Sequence, residues 1–289
     1  MASPITVRID DRLRLLSAVL AAGTWPDHEQ TVRPYKTHRA AEHARRYFSA
    51  WGAHPAVATI TTQASTDLNG LAAHALAGDW PADLAAQLAD FQNVAQSQTF
   101  WHETQADWAQ ADWVQAEGDV RDVLARADLA QFLTDIFGPL TRALVAVPNL
   151  LFPGLQFITV YTPTEVVLYA PPPKAWGAST PWRYSERPDE VQAAFTEAFA
   201  RCVFEHELPP AQAALKAQAG TFALAAAVLF LRQAEGDAAG DQFMVMEKRT
   251  RNLPRLPIAV NALESLLADR RANKYASLAD YAPQLEGQL

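Results

Sequence analysis

The sequence predicts an α+β fold, mostly helical, with a helical N-terminal half and one β-hairpin ahead of a long helix two thirds along the chain. Three observations predict it. From residue 35 to about 147, apolar residues recur at spacings of three and four, the period of helices buried along one face. One stretch, "LQFITVYTPTEVVLYA" at 155–170, is β-branched and aromatic on both sides of Thr162-Pro163-Thr164, the pattern of a hairpin. Strands do not alternate with helices, so a Rossmann-type βαβ architecture is not expected.

Taken in order, Ile5, Val7 and Ile9 alternate with polar residues and predict a short opening strand. Asp10 or Asp11 then caps a helix carrying Leu13, Leu16, Val19 and Leu20, stopped by Gly23. A second helix is expected over 35–51, ended by Gly52, and helices continue from Pro55 with breaks at Gly78, Gly118 and Gly138-Pro139. After the hairpin, "PPPKAWGASTPWRYSERPDE" is too rich in proline for regular structure. A helix follows over 188–208, stopped at Pro209-Pro210, and then an alanine-rich segment reaching Arg232 that is apolar on most sides and reads as a buried central helix. Gly236 and Gly240 read as a loop, and further helices are expected, among them 256–273. The organisation reads as a helical region over 1–147 and a hairpin-plus-helices region over 148–289, joined in one continuous compact unit.

Composition narrows the function classes. With 49% hydrophobic and 19% charged residues the chain is globular rather than disordered. A net charge of -8 argues against a nucleic-acid partner, which needs Lys and Arg on phosphates. Cys202 is the single cysteine, so neither an internal disulfide nor a thiolate zinc cluster can form. The opening residues lack the apolar core of a secretory signal, and the run 217–231 is too short and alanine-rich to span a bilayer. No membrane association and a cytoplasmic location are the expectation.

The chemistry, if any, centres on "CVFEHELPPA" at 202–211. His206-Glu207-Leu208 opens like the HExxH helix of zinc peptidases, where imidazoles at i and i+4 share one face and one ion, and the intervening Glu acts on the metal-bound water. In that register Pro210 stands where the second histidine belongs. With Glu205 as the base instead, the ligand positions are Phe204 and Leu208. Neither register keeps two imidazoles. Glu205, His206 and Glu207 remain the candidate catalytic residues, and the plain alternative is a polar helix end above an apolar face of Val203, Phe204 and Leu208.

Four stretches together carry a resemblance: "RLRLLSAVLAAG", "LQFITVYTPTEVVLYA", "CVFEHELPPAQAAL" and "LADRRANKYASLADYAPQL". The arrangement resembles zincin-like (gluzincin-type) metallopeptidases, specifically an uncharacterised bacterial family with a helical N-terminal half and a hairpin before the active-site helix. The resemblance implies a zincin-like fold, a catalytic glutamate at Glu205 and a third, acidic ligand on the next helix. That ligand would fall within "AGTFALAAAV" at 219–228, which has no acidic residue. With Phe204 and Leu208 at the other two positions, the resemblance implies a zincin-like scaffold that has lost its metal site, so no cofactor is expected.

Other histidines give no motif. His102-Glu103 is followed by Ala106 where a histidine is needed, His28-Glu29 lies in a turn-like stretch, and His38 and His43 are five apart. A zinc site gathered from His102, His206 and Glu207 is the remaining metal alternative. No G-x-S-x-G elbow, P-loop or dinucleotide fingerprint occurs. Cys202, between apolar neighbours in a helix, reads as a buried thiol. The proline-rich loop gathers Lys174, Trp176, Trp182, Arg183 and Tyr184 beside Tyr169 of the hairpin. Aromatic and arginine side chains anchor partners, and in zincins the edge strand before the active helix pairs with extended peptide. The strand 165–170, with Tyr169, Trp176, Trp182, Arg183 and Tyr184, is therefore expected to border a groove for a peptide or protein partner. Three functions follow: a non-catalytic zincin-like binding protein, a hydrolase using Glu205, His206 and Glu207 with unconventional ligands, and a helical interaction protein.

Overall fold

A computed structural model describes residues 5–23, 25, 35–36, 39–101, 109–150, 157–173, 175–176, 182–208 and 212–287. In chain order its elements are β1 (Thr6–Val7), α1 (Asp11–Ala22), β2 (Tyr35–Lys36), α2 (Arg39–Phe48), α3 (Pro55–Ala64), α4 (Leu68–Ala77), α5 (Ala82–Val94), α6 (Ala109–Ala125) and α7 (Leu129–Phe137). Then come β3 (Ala143–Pro148), β4 (Ile158–Tyr161), β5 (Glu165–Ala170), β6 (Ala175–Trp176), α8 (Pro188–Glu207), α9 (Ala213–Ala217), α10 (Ala219–Glu235), α11 (Asp237–Thr250), α12 (Leu256–Arg271) and α13 (Leu278–Gly287). The fold is α+β and mostly helical.

A four-stranded mixed sheet, ordered β1-β3-β5-β4, sits among the helices. The hairpin is present: β4 runs antiparallel to β5 with Ile158 opposite Tyr169 and Tyr161 opposite Val166. β3 corrects the expected continuous helical pattern, since residues 143–148 form a strand parallel to both β1 and β5. The reason is burial on both faces. Leu144, Val145, Ala146 and Val147 are all buried, so the alternation that marks a half-exposed strand is missing and the run looks like a buried helix turn. The boundary expected at 147/148 falls inside this strand, and one apolar core runs from Val7 to Leu285. Arg8, just past β1, makes a two-point contact with Glu165 at the start of β5 (2.9 and 3.0 Å), tying the sheet across β3.

Two further corrections concern short segments. Residues 35–36 open as β2 rather than helix, and β2 pairs antiparallel with β6 inside the proline-rich loop expected to lack regular structure. The first helix follows expectation: Asp10 caps it by accepting from the Arg12 N–H, and Leu13, Leu16, Val19 and Leu20 are buried.

The helices that position the site are α8, α10 and α11. Pro188 stands in the first turn of α8 with Asp189 and Glu190 behind it, a favourable start because no N–H is lost there and the carboxylates meet the positive helix end. α8 packs against β4 and β5 on one side and α10 on the other. Residues 222–231 of α10 are all buried, as its all-round apolar sequence requires. Gly240, expected in a loop, is helical instead: α11 crosses α10 closely there, and a Cβ would lie 2.7 Å from the Val228 carbonyl oxygen. That contact holds α11 as a wall beside α8. Among the described residues no helix is long and apolar enough to cross a membrane.

Candidate functional site

The last turn of α8 carries Glu205, His206 and Glu207. Successive helical residues are rotated by roughly 100°, so three in a row fan out rather than converge. Glu205 turns back along the helix to Arg201, one turn earlier (2.8 Å). Glu207 turns towards the hairpin, where its Oε1 accepts from Arg142 (2.7 Å) and from the Tyr161 hydroxyl (2.5 Å). His206 lies between them and stacks on Tyr161, with ring centroids 4.3 Å apart and planes 10° from parallel. Arg142 also covers the Tyr161 ring (4.1 Å) and donates to the Thr162 carbonyl (2.7 Å), fixing the hairpin turn to the helix end.

This cluster shifts its own proton affinities. Burial, with the Glu207 hydrogen bond second, raises the Tyr161 hydroxyl above the usual phenol range. Burial also holds the His206 imidazole below its usual value, against the raising effect of Glu205. Neighbouring Cys202 is buried and its thiol is pushed up to about 12, mainly by desolvation, so it is held protonated at neutral pH. Among the described residues no three His, Cys, Asp or Glu side chains come together as a metal-binding group. His102, named with His206 and Glu207 as a distant zinc site, lies outside the described residues, as do His28, His38 and Pro210.

The positions that the zincin pattern reserves for ligands lie on the inner side of α8. Phe204 is fully buried, meeting Phe137 edge-on (4.9 Å) and Phe222 of α10 (5.6 Å), and Leu208 is buried beside the helix end. Phe222 belongs to the stretch where the third ligand was expected. Phe204 and Leu208 therefore offer only carbon, the stretch 219–228 holds no acidic side chain, and these residues do not fit zinc.

A groove of about 1000 Å³ opens on the other side of α8. Its walls are the outer face of α8, the inner edge of α11, the turn between α3 and α4, Pro171–Pro173 after β5, and Phe157 and Thr159 of the hairpin. Ala194 and Ala198 put little side-chain bulk on the floor, and Phe243 and Met246 make one wall apolar. Charged groups stand in pairs around it. Arg187 meets Glu190 (2.9 Å), Arg201 meets Glu205, and Arg251 bridges Glu197 (2.5 Å) and Glu247 (2.6 Å). Asp67 caps α4 through the Gly70 N–H (2.8 Å).

The expected bordering strand is corrected. β5 is interior, and the edge strand facing the groove is β4. Its Thr159 N–H already donates to the Asn69 side-chain oxygen of α4 (3.1 Å), so α4 shields this edge and strand addition there would have to displace it. Of the aromatic and arginine residues expected to meet a partner, Tyr169 and Tyr184 are core side chains. Tyr169 is 1% exposed with its hydroxyl 2.9 Å from Ser17 Oγ, and Tyr184, 2% exposed, donates to the Ala170 carbonyl (2.7 Å). Tyr169 faces inward, not a partner, whereas Tyr184, though buried, forms part of the groove lining. Arg183 makes a two-point contact with Asp119 of α6 (3.1 and 2.8 Å) that anchors the loop. Trp182 lies under Arg187 (5.1 Å) next to the groove rim, and the side chain of Trp176 lies outside the described residues.

Sequence reasoning reached Glu205 and Tyr184 but missed most of the groove. The signal on α8 was present: Ala194, Ala198, Arg201 and Glu205 follow one another at three and four residues. α11 carried none, because "FMVM" at 243–246 circles the helix instead of marking a face. The chain matches no family model, no curated protein and no solved structure.

Proposed function

We propose that this protein is a non-catalytic, zincin-like binding protein that holds a peptide or protein segment in the groove beside α8. The groove itself carries the reading: it is open, has an apolar wall and ion-paired rims, and runs along the helix face that presents Glu205. Two arrangements support the non-catalytic part. Phe204 and Leu208 occupy two ligand positions of the resemblance with side chains that cannot bind a metal, and residues 219–228, where the third would fall, hold no acidic residue. Glu205 and Glu207 are committed to Arg201 and Arg142 on different sides of the helix, so no pair of carboxylates shares a substrate. This divergence also weighs against the hydrolase reading. The partner contact moves from strand pairing, which α4 blocks at Thr159, to the inter-helix groove.

The test is a selection of displayed random peptides on immobilised protein, with Ala198→Trp as the blocked counterpart. Ala198 is half-buried on the groove floor with its inner side against the core, and an indole there fills the groove space. Peptides that bind the native protein and lose the Ala198→Trp variant support the reading. No enrichment, or binders indifferent to the tryptophan, overturns it.

A further inference from the structure

We propose that the groove selects a cationic partner: a segment with lysine or arginine side chains flanking an apolar residue. This rests on the binding reading above and names the class of partner. Five carboxylates and three guanidinium groups line the groove, with no lysine or histidine among its described residues, leaving an excess of two negative charges. The excess has an address. Arg251 is a single cation shared between Glu197 and Glu247, so one carboxylate's charge there is left over. Asp67 meets only the N–H groups of its own helix start and has no cationic partner among the described residues. Arg187 and Arg201 are each cancelled by a glutamate on α8. The two uncompensated charges thus stand on different walls, at the α3–α4 turn and at the α8–α11 seam.

On α11, beside Glu247, lie Met246, 49% exposed, and Phe243, which make that wall apolar. A thioether on a flexible chain adapts to varied apolar shapes, so this wall suits an aliphatic or aromatic anchor of loosely defined form. The protein's overall charge of -8 adds a long-range pull on a basic segment before contact. An acidic segment meets repulsion at both uncompensated positions and gains only guanidinium groups that are already paired.

The experiment reads the charge of the peptides recovered in the selection and then titrates one by fluorescence anisotropy. Groove-dependent binders are expected to hold more Lys and Arg, and fewer Asp and Glu, than the unselected library. Asp67→Asn, which keeps the helix cap because asparagine caps as well as aspartate, is expected to weaken the titrated basic peptide by about two- to five-fold, the range of one exposed ion pair, and to flatten its salt dependence. Asp122→Asn, on α6 away from the groove, serves as the charge control and is expected to leave affinity unchanged. Groove-dependent binders that are neutral or acidic overturn the cationic inference while leaving the groove reading standing. Basic binders that ignore both Ala198→Trp and Thr66→Trp, a second block on the exposed turn, reveal general attraction to an acidic protein and overturn the inference too. An absence of any binder removes the inference together with the reading it rests on.

Discussion

The two sides of α8 are built on opposite principles. Inward, Phe199, Val203 and Phe204 are buried to a few per cent or less, and Phe204 meets aromatic neighbours from α7 and α10. Outward, Ala194, Ala198, Arg201 and Glu205 border open space, and their interactions are ion pairs at partly exposed positions. Buried carbon contributes a few kcal/mol per large side chain, whereas an exposed ion pair contributes about 0–1 kcal/mol. The inner side therefore holds the fold and the outer side is free to serve a ligand. The zincin pattern would need polar ligands on the inner side. Here that side consists of packed carbon.

The strongest way to break this contrast is Phe204→Ala. The ring fills the space between Phe137 and Phe222, and removing it leaves a cavity lined by aromatic faces. A loss of about 3–5 kcal/mol is expected, seen as a fall in Tm of roughly 10 °C in a chain of this size. Groove binding measured on the folded fraction is expected to stay within about two-fold. A neutral Tm change would mean that the inner side is not packed as described.

Arg251→Ala comes next and touches both principles. Its guanidinium bridges α11 to Glu197 on α8, and both carboxylates are mostly buried (18% and 13% exposed). Those carboxylates hold the arginine's proton more firmly than usual, overcoming the opposing effect of burial. Removing it leaves two close carboxylates without their cation, at a cost of about 1–2 kcal/mol once the arginine's own exposure is allowed for. The same change raises the groove's negative excess, so the basic peptide is expected to bind more tightly while the protein melts earlier. Opposite signs in thermal denaturation and anisotropy are the signature. Parallel losses would place Arg251 in the fold alone.

How much of this was legible in the sequence follows from the same contrast. The hairpin and α8 were readable because each carries its signal locally: β-branched residues around Thr162-Pro163-Thr164, and Pro188 with two acidic residues opening a periodic run. β3 was not, because a strand covered on both faces loses its alternation. The fan of Glu205, His206 and Glu207 follows from helix geometry, yet its partners Arg142 and Tyr161 lie 65 and 46 residues away in sequence, which no spacing rule connects. Tyr169 was misplaced, and the buried hydroxyl of Tyr184 unforeseen, for a related reason. An aromatic residue with a polar tip reads alike whether its hydroxyl meets a partner or, as here, a serine and a carbonyl inside the core.

The His206 end of the outer side gives a smaller, pH-dependent effect. Because burial lowers its pKa in the fold, the unfolded chain takes up the proton first as pH falls through about 6.5. The folded state binds fewer protons over that window, so stability declines from there downward until the folded imidazole protonates as well. The charges around it act in both directions, with Lys216 and Arg142 reinforcing the shift and Glu205 and Glu207 opposing it. Thermal melts between pH 7.5 and 5 are expected to show a steeper loss for the native protein than for His206→Gln, by less than about 1 kcal/mol, since a partly exposed site rarely contributes more. An equal or shallower slope in the native protein would mean that burial does not hold His206 neutral in the fold.

Glu205→Gln has the least effect on the fold and separates the readings most cleanly. Glu205 is exposed and its partner Arg201 is still more so (60%), so breaking the pair is expected to change stability by no more than about 0.5 kcal/mol. If Glu205 served as a general base, its amide would abolish turnover while leaving substrate binding near native. If it belongs to a binding groove, the variant frees Arg201, removes one negative charge from the rim and weakens a basic peptide by about two- to five-fold. Anisotropy of that peptide against Glu205→Gln at two salt concentrations reads the difference directly: a loss that shrinks at high salt comes from rim charge, and unchanged affinity removes Glu205 from the contact surface.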